Sequence, residues 1–233
     1  CFNNARYIIA NSQMVKDQIK QHYAISDEKI GVIYSGVEMD APGVAAGSVR
    51  SEYSIAAATP LILFVGSGFQ RKGVSEMLQL LAKLDGDFFA IIVGKDKQLK
   101  RYMAQSEQLG LAGKVSFAGP VNDIERYYVD SDILLLPTRY EPFSNVVLEA
   151  MRGGNAVITT RQNGAAEVLQ EELQMASSDD ETILPALQRL LDQPDYLVGI
   201  KEQNLATVAQ FTIASNARQT LAAIDAVMQG RTP

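Results

Sequence analysis

The 233-residue chain has one cysteine, one histidine and no tryptophan. A single thiol excludes an internal disulfide and suits a reducing compartment. With Cys1 and His22 as the sole thiol and imidazole, a Cys/His zinc site cannot be assembled within the chain. A Ser-His-Asp triad would have to recruit His22, which sits in a polar helical stretch and reads as a solvated surface side chain. No run approaches the ~18 apolar residues of a membrane-spanning helix, and no signal peptide is visible. The chain opens on Cys1 rather than Met, and Phe2 with the strand-like residues 7–10 leaves no tether for a lipoprotein terminus. The expectation is a segment that starts inside a larger protein. A net charge of −6 argues against nucleic acid as the partner, because phosphate backbones reward clustered Lys and Arg. It equally disfavours binding to a membrane surface through a general positive charge, while leaving room for a local basic site.

Two phosphate-binding signatures are missing as well. Gly66 and Gly68 are followed by Arg71 where the G-x-G-x-x-G fingerprint needs its third glycine. A large side chain there would hold helix and strand apart. Lys72 is followed by Gly73 rather than Ser or Thr, so there is no P-loop. A nicotinamide-dependent sugar-nucleotide epimerase is thereby excluded.

What remains is an ordinary globular composition, 47% hydrophobic and 21% charged, long enough to bury a substantial core. Short apolar runs recur at residues 61–65, 88–93, 115–117, 133–136 and 156–158. They lack strict alternation and end near Gly, Pro or Thr, as strands buried on both faces of a parallel sheet do. Between them lie helical spacings: Val74, Met77, Leu78, Leu81, Leu84; a more polar stretch over 98–109; and Ile183, Leu184, Leu187, Leu190, Leu191. Such alternation predicts an α/β fold, a Rossmann-like doubly wound parallel sheet built of right-handed βαβ units. Residues 1–36 predict a strand at 7–10, a helix from Ser12 and a strand at 30–34, before a Gly/Ala/Ser-rich loop over 41–48. A last amphipathic helix runs through Ile213, Ala217, Leu221, Ile224 and Met228.

Ligands of open parallel sheets bind beyond the carboxyl ends of the strands, and three loops there carry unusual chemistry. In residues 66–73, Gly68 lets backbone approach a ligand while Arg71 and Lys72 offer two cations to a diphosphate. In the second loop, Pro137 and Pro142 preclude a helix across Glu141, so helix starts near Ser144, a favourable N-cap. Free amides around Asn145 and Val146 then point at an anion. Glu149, in the second turn, can accept two hydroxyl hydrogen bonds of the kind a ribose offers. In the third loop, a strand ending in Gly119-Pro120 leaves unpaired backbone groups for a base edge. Asp130-Ser131-Asp132 leads into a strand and reads as a helix end plus turn, not a metal-binding pair.

The stretch from Glu141 through Pro142, Phe143, Ser144, Asn145 and Val146 to Glu149 resembles the E-x7-E signature of glycosyltransferase family 4, retaining enzymes of the GT-B type. Ala150-Met151, Gly154 and Val157-Ile158 follow it in order. Ile8-Ile9-Ala10-Asn11-Ser12, residues 29–37, Val93-Gly94-Lys95-Asp96 and residues 130–137 also look like the family, so the resemblance covers nearly the whole chain. Residues 65–73 with residues 93–97 look most like bacterial lipopolysaccharide-core glucosyltransferases. Three positions depart from the pattern: Ser144 for a usual Gly, Ala156 for a common Pro, and Asn163 for the first of a Gly-Gly pair.

The resemblance implies roles. Arg71 and Lys72 would neutralise the donor diphosphate and its leaving-group charge. Glu141 would contact the donor sugar, with Gly68 and Phe143 beside it, and the amides of Ser144, Asn145 and Val146 would hold phosphate. Glu149 would take the ribose hydroxyls, and Gly119 and Pro120 would face the base. No metal or other cofactor is expected; the nucleotide-sugar donor, of UDP-glucose type, is a substrate. Residues 1–40 would be the interdomain crossing and tail of a missing N-terminal domain. Residues 41–212 would be the nucleotide-sugar-binding domain, and 213–233 a helix returning to the missing domain. A saccharide or glycolipid acceptor such as lipopolysaccharide core would bind that missing domain, leaving this chain incomplete for turnover. The implied setting is the cytoplasm or the cytoplasmic face of the inner membrane, with peripheral membrane association of the full protein. A non-catalytic sugar-nucleotide-binding module is the alternative reading.

Overall fold

The computed structural model describes residues 4–40 and 46–233. Cys1, Phe2 and residues 41–45 of the expected Gly/Ala/Ser-rich loop lie outside the described residues. In chain order the elements are β1 (Ile8–Ala10), α1 (Gln13–His22), β2 (Ile30–Val32), α2 (Ser48–Glu52), β3 (Leu61–Val65), α3 (Phe69–Lys72), α4 (Val74–Leu81), β4 (Phe89–Val93) and α5 (Leu99–Gln108). There follow β5 (Val115–Gly119), α6 (Ile124–Asp130), β6 (Ile133–Leu136), α7 (Asn145–Arg152), β7 (Ala156–Thr160), β8 (Gln174–Met175), α8 (Leu184–Asp192), α9 (Pro194–Val208) and α10 (Ile213–Met228).

All five apolar runs are strands of one six-stranded sheet with the order β5-β4-β3-β6-β7-β8, and every pairing is parallel. After β5 the chain returns to the opposite side of β3. The strand order therefore reverses between β3 and β6, and their carboxyl ends open a crevice there. The absence of alternation has the expected cause: β6 and β7 are buried at every position, and β3 and β4 at all but one. Edge strand β5 is only half-buried along its length.

Several boundaries differ from the sequence reading. Residues 66–73 are not simply a loop, because Phe69 anchors the one-turn helix α3 in the core against Phe64 and Tyr102. Leu84 and Ile183 are buried just outside the ends of α4 and α8. Helix α9 was not anticipated; it packs on α7, α8 and β7, and its buried Asn204 donates to the Asn155 carbonyl at 2.9 Å. The Ile213, Leu221, Ile224 and Met228 positions of α10 are exposed, so its apolar stripe is uncovered among the described residues, and Ala223 is its one buried position.

Asp130 and Asp132 serve the fold, as the helix-end reading expects. The buried Asp130 carboxylate accepts from the amides of Gly47 (2.5 Å) and Val49 (2.6 Å) at the start of α2. Asp132 accepts from Arg50 Nη2 (2.6 Å), Lys201 Nζ (3.0 Å) and the Leu61 amide (2.9 Å), pinning β3 beside β6. β1 and β2 form a separate two-stranded sheet around a small core of Ile8, Ala10, Ile19 and Ile30. Glu167 ties this unit to the main sheet: its carboxylate accepts from the amides of Gln13 (2.9 Å) and Met14 (2.7 Å) and from Tyr34 Oη (2.8 Å). Those two amides belong to the first turn of α1, where no intrahelical acceptor exists. His22 closes α1 and is exposed, as read from the sequence. No helix among the described residues is long and apolar enough to cross a membrane.

Gly73 joins α3 to α4 at φ +80°, and a Cβ there would lie 1.9 Å from the Pro137 carbonyl oxygen. Gly68, at φ +75°, faces open space. Gly68→Ala should therefore cost only the left-handed backbone penalty, about 1–2 kcal/mol. Gly73→Ala should exceed it by about 2 kcal/mol because the β3 and β6 loops must part. Urea unfolding of the two variants checks the ordering.

Candidate functional site

The loops after β3 and β6 are stitched across the crevice. The Arg71 carbonyl accepts from the Arg139 amide at 2.9 Å and from Thr138 Oγ1 at 3.2 Å, and Arg139 pairs with Glu76 of α4. Glu141 is fixed from the other side: its amide donates to the Gln162 carbonyl (2.9 Å), and its carbonyl accepts from the Gly164 amide (3.0 Å). Its side chain then has one direction to go. Glu141 Oε2 accepts from Arg71 Nη1 at 2.6 Å and Lys72 Nζ at 2.5 Å.

The three charges are unequally exposed. The Lys72 side chain is 9% exposed, that of Glu141 19%, and that of Arg71 53%. Lys72 and Glu141 form the nearly dry pair, and Arg71 presents its guanidinium to solvent. Burial alone would raise the Glu141 carboxyl, but the hydrogen bonds from Lys72 and Arg71 outweigh it and hold the group below its ordinary range. Two cations facing one anion leave a net positive pocket at the sheet's switch point.

Beside it, helix α7 begins at Asn145, with Ser144 in the N-cap position. The hydroxyl makes no capping bond, contrary to expectation. Instead the Ser144 amide donates to Asn163 Oδ1 at 3.2 Å, which also accepts from the Ala165 amide at 3.2 Å. Asn163 is fully buried and donates through Nδ2 to Thr159 Oγ1 at 3.1 Å. This departure from the family pattern thus braces the start of α7. The amides of Asn145 and Val146 have no partner among the described residues and lie at the positive end of the helix dipole. Phe143 is buried, 7% exposed, with its ring 5.9 Å from that of Tyr34.

Glu149 lies one turn into α7, where its Oε2 accepts from Tyr128 Oη of α6 at 2.8 Å. The two residues line a cavity of ≈ 270 Å³ with Gly66, Ser67, Gly94 and Pro120. This places Pro120 near Glu149, but Gly119 is not left unpaired: its carbonyl accepts from the Gly94 amide at 2.9 Å, because the β4–β5 register shifts there. Gly68 lines a neighbouring hollow of ≈ 700 Å³ with Gln70, Lys95, Gln98 and Tyr102. The roles of Tyr128 and Glu167, and the bracing by Asn163, are not legible in the sequence. Each acts through a partner at least 19 residues away, and no local pattern marks such residues.

Residues 48–207 match the family model of glycosyl transferases group 1, and the chain belongs to that family. It is 26% identical over 175 residues to an uncharacterised glycosyltransferase of Methanocaldococcus jannaschii, covering 71% of this chain and 45% of that protein. It is 35% identical over 115 residues to the lipopolysaccharide glucosyltransferase WaaG of Escherichia coli K12, covering 48% of this chain and 30% of WaaG. Its fold superposes on the crystal structure of Anabaena HepE in complex with UDP-glucose with a TM-score of 0.85. That match has 21% identity and covers 95% of this chain and 64% of HepE. The architecture is the one found in GT-B glycosyltransferases. The chain spans about half the length of the curated relatives it matches.

Glu141→Gln should destabilise the chain by about 2–3 kcal/mol at pH 7, since Lys72 is left buried with no counter-charge. A carboxyl whose folded pKa is lowered contributes stability above its unfolded value and loses it as pH falls through the folded one. The gap between wild type and Glu141→Gln should therefore narrow as pH drops below 4.5, the ordinary glutamate value. Urea midpoints measured from pH 7 to pH 3 check this; a constant gap contradicts it.

Proposed function

We propose that this chain is the donor-binding half of a retaining hexosyltransferase that uses a nucleotide-sugar of UDP-glucose type. The observation that carries the reading is the convergence of Arg71, Lys72 and Glu141 beside the unpartnered amides of Asn145 and Val146. Two cations and a helix N-terminus meeting at a switch point suit a diphosphate. Arg71 and Lys72 balance the charge that grows on the leaving diphosphate as the glycosidic bond breaks, so no metal is required in this scheme. Glu141, already engaged with both cations, contacts the transferred sugar. Glu149 takes the ribose, and Pro120 flanks the base. WaaG is named a lipopolysaccharide glucosyltransferase and HepE was crystallised with UDP-glucose, and both support the choice of donor.

The acceptor, a saccharide or glycolipid such as lipopolysaccharide core, is assigned to a domain outside this chain. The separate β1–β2 sheet with its own core and the uncovered apolar stripe of α10 support division into residues 1–40, 41–212 and 213–233. The full protein is placed in the cytoplasm, or peripherally on the cytoplasmic face of the inner membrane where such acceptors are built.

Calorimetric titration with UDP-, GDP- and ADP-sugars tests the reading. One donor should bind, and Lys72→Ala and Glu149→Ala should each weaken it by about tenfold or more, as expected when a charged hydrogen bond is lost. Unchanged affinity in both variants overturns the site. Purified alone, the chain should transfer no sugar to a saccharide acceptor; acceptor-dependent turnover overturns the assignment of the acceptor to another domain.

A further inference from the structure

The buried phenol of Tyr128 has a task that the charged residues do not explain. Its side chain is fully buried beside the ≈ 270 Å³ cavity that it lines with Glu149, and its hydroxyl donates to Glu149 Oε2 at 2.8 Å. Three further contacts fix the arm that carries it. Asn155 Nδ2 donates to the Tyr128 carbonyl at 2.7 Å. The backbone of Gly153 lies so close that a Cβ there would sit 2.7 Å from Tyr128 Cβ. Arg152, one turn beyond Glu149 on α7, pairs with Glu125 of α6. Helices α6 and α7 are thus held together next to the Tyr128–Glu149 contact. Burial and the neighbouring Glu149 charge push the phenol far above its ordinary range, so it remains a donor.

A free glutamate on a helix samples several rotamers, and only some present two acceptor oxygens to a vicinal diol. Held by one fixed donor on Oε2, Glu149 keeps Oε1 and the remaining lone pair of Oε2 aimed in one direction. We propose that Tyr128 is a positioning residue that locks Glu149 for the ribose 2′- and 3′-hydroxyls, making the site select ribonucleotides over 2′-deoxyribonucleotides. This rests on the assignment of Glu149 to the ribose made above.

The test is equilibrium binding of UDP, GDP and ADP, each paired with its 2′-deoxy counterpart, to the full chain. The wild type should favour the ribonucleotide of the pair that binds. Tyr128→Phe keeps the ring and removes one oxygen; it should lower the ribo-to-deoxy ratio by roughly 3- to 10-fold, the weight of one hydrogen bond, with little change in affinity for the deoxy form. Glu149→Ala should abolish the ratio, and Tyr128→Phe added to it should change nothing further. A merely structural tyrosine would lower both affinities together and leave the ratio intact, and that result overturns the proposal. If Glu149→Ala itself keeps the wild-type ratio, the ribose assignment falls and the proposal with it. Should Tyr128→Phe not fold, the wild type gives a second reading by proton NMR. The Tyr128 hydroxyl resonance should move on adding the bound diphosphate and not on adding its 2′,3′-dideoxy form; equal movement with both overturns the proposal.

Discussion

A lysine ammonium buried at the mouth of a parallel sheet must be neutralised or lose its charge. In this chain the Glu141 carboxylate does the neutralising, 2.5 Å from Lys72 and 2.6 Å from Arg71. Much of the surrounding structure follows from keeping that carboxylate in place. Its backbone is held between the Gln162 carbonyl and the Gly164 amide, and Gly73 lets the β3 loop press against Pro137. Arg139 and Thr138 close the seam on the Arg71 carbonyl. The cost of desolvating these charges is offset within the seam, and a net positive charge remains where an anion can be received.

The sheet supplies the geography for this. Because β6 returns to the far side of β3, the two loops with the charges face each other across the switch point rather than following in sequence around one edge. The site therefore sets Arg71 and Lys72 of α3 against Glu141 in the loop before α7, whose first turn starts four residues later at Asn145. The chain belongs to the glycosyl transferases group 1, and its fold is the one found in GT-B glycosyltransferases.

Strand positions were legible because burial on both faces writes uninterrupted apolar runs, as in Leu61–Val65 and Ile133–Leu136. The start of α7 was legible because Pro142 forbids helix before it. Less visible were residues whose task depends on distant partners. Asn163 looked like a mere replacement of glycine, yet it braces Ser144, 19 residues away. Ser144 has the right identity for a cap, but the hydrogen bond its backbone N–H donates to Asn163 Oδ1, not its hydroxyl, ties it into the start of α7. Gly119 was read as unpaired because the register shift that gives its carbonyl to Gly94 is a tertiary feature of the β4–β5 pair. Phe143 resembles a site residue by motif, and its burial in the main core against Tyr34, 109 residues earlier in the chain, is a tertiary feature.

We propose that the diphosphate of a nucleotide-sugar enters between Arg71-Lys72 and the first turn of α7. Backbone amide NMR of the chain titrated with UDP, GDP and ADP tests it most directly. The amides of Asn145 and Val146 should show the largest downfield shifts, with Gly68 and Arg71 next, as the two unpartnered N–H groups gain an anionic acceptor. Shifts that spare Asn145 and Val146 and gather instead around Lys95 to Gln98 would place the diphosphate in the neighbouring hollow and overturn this assignment.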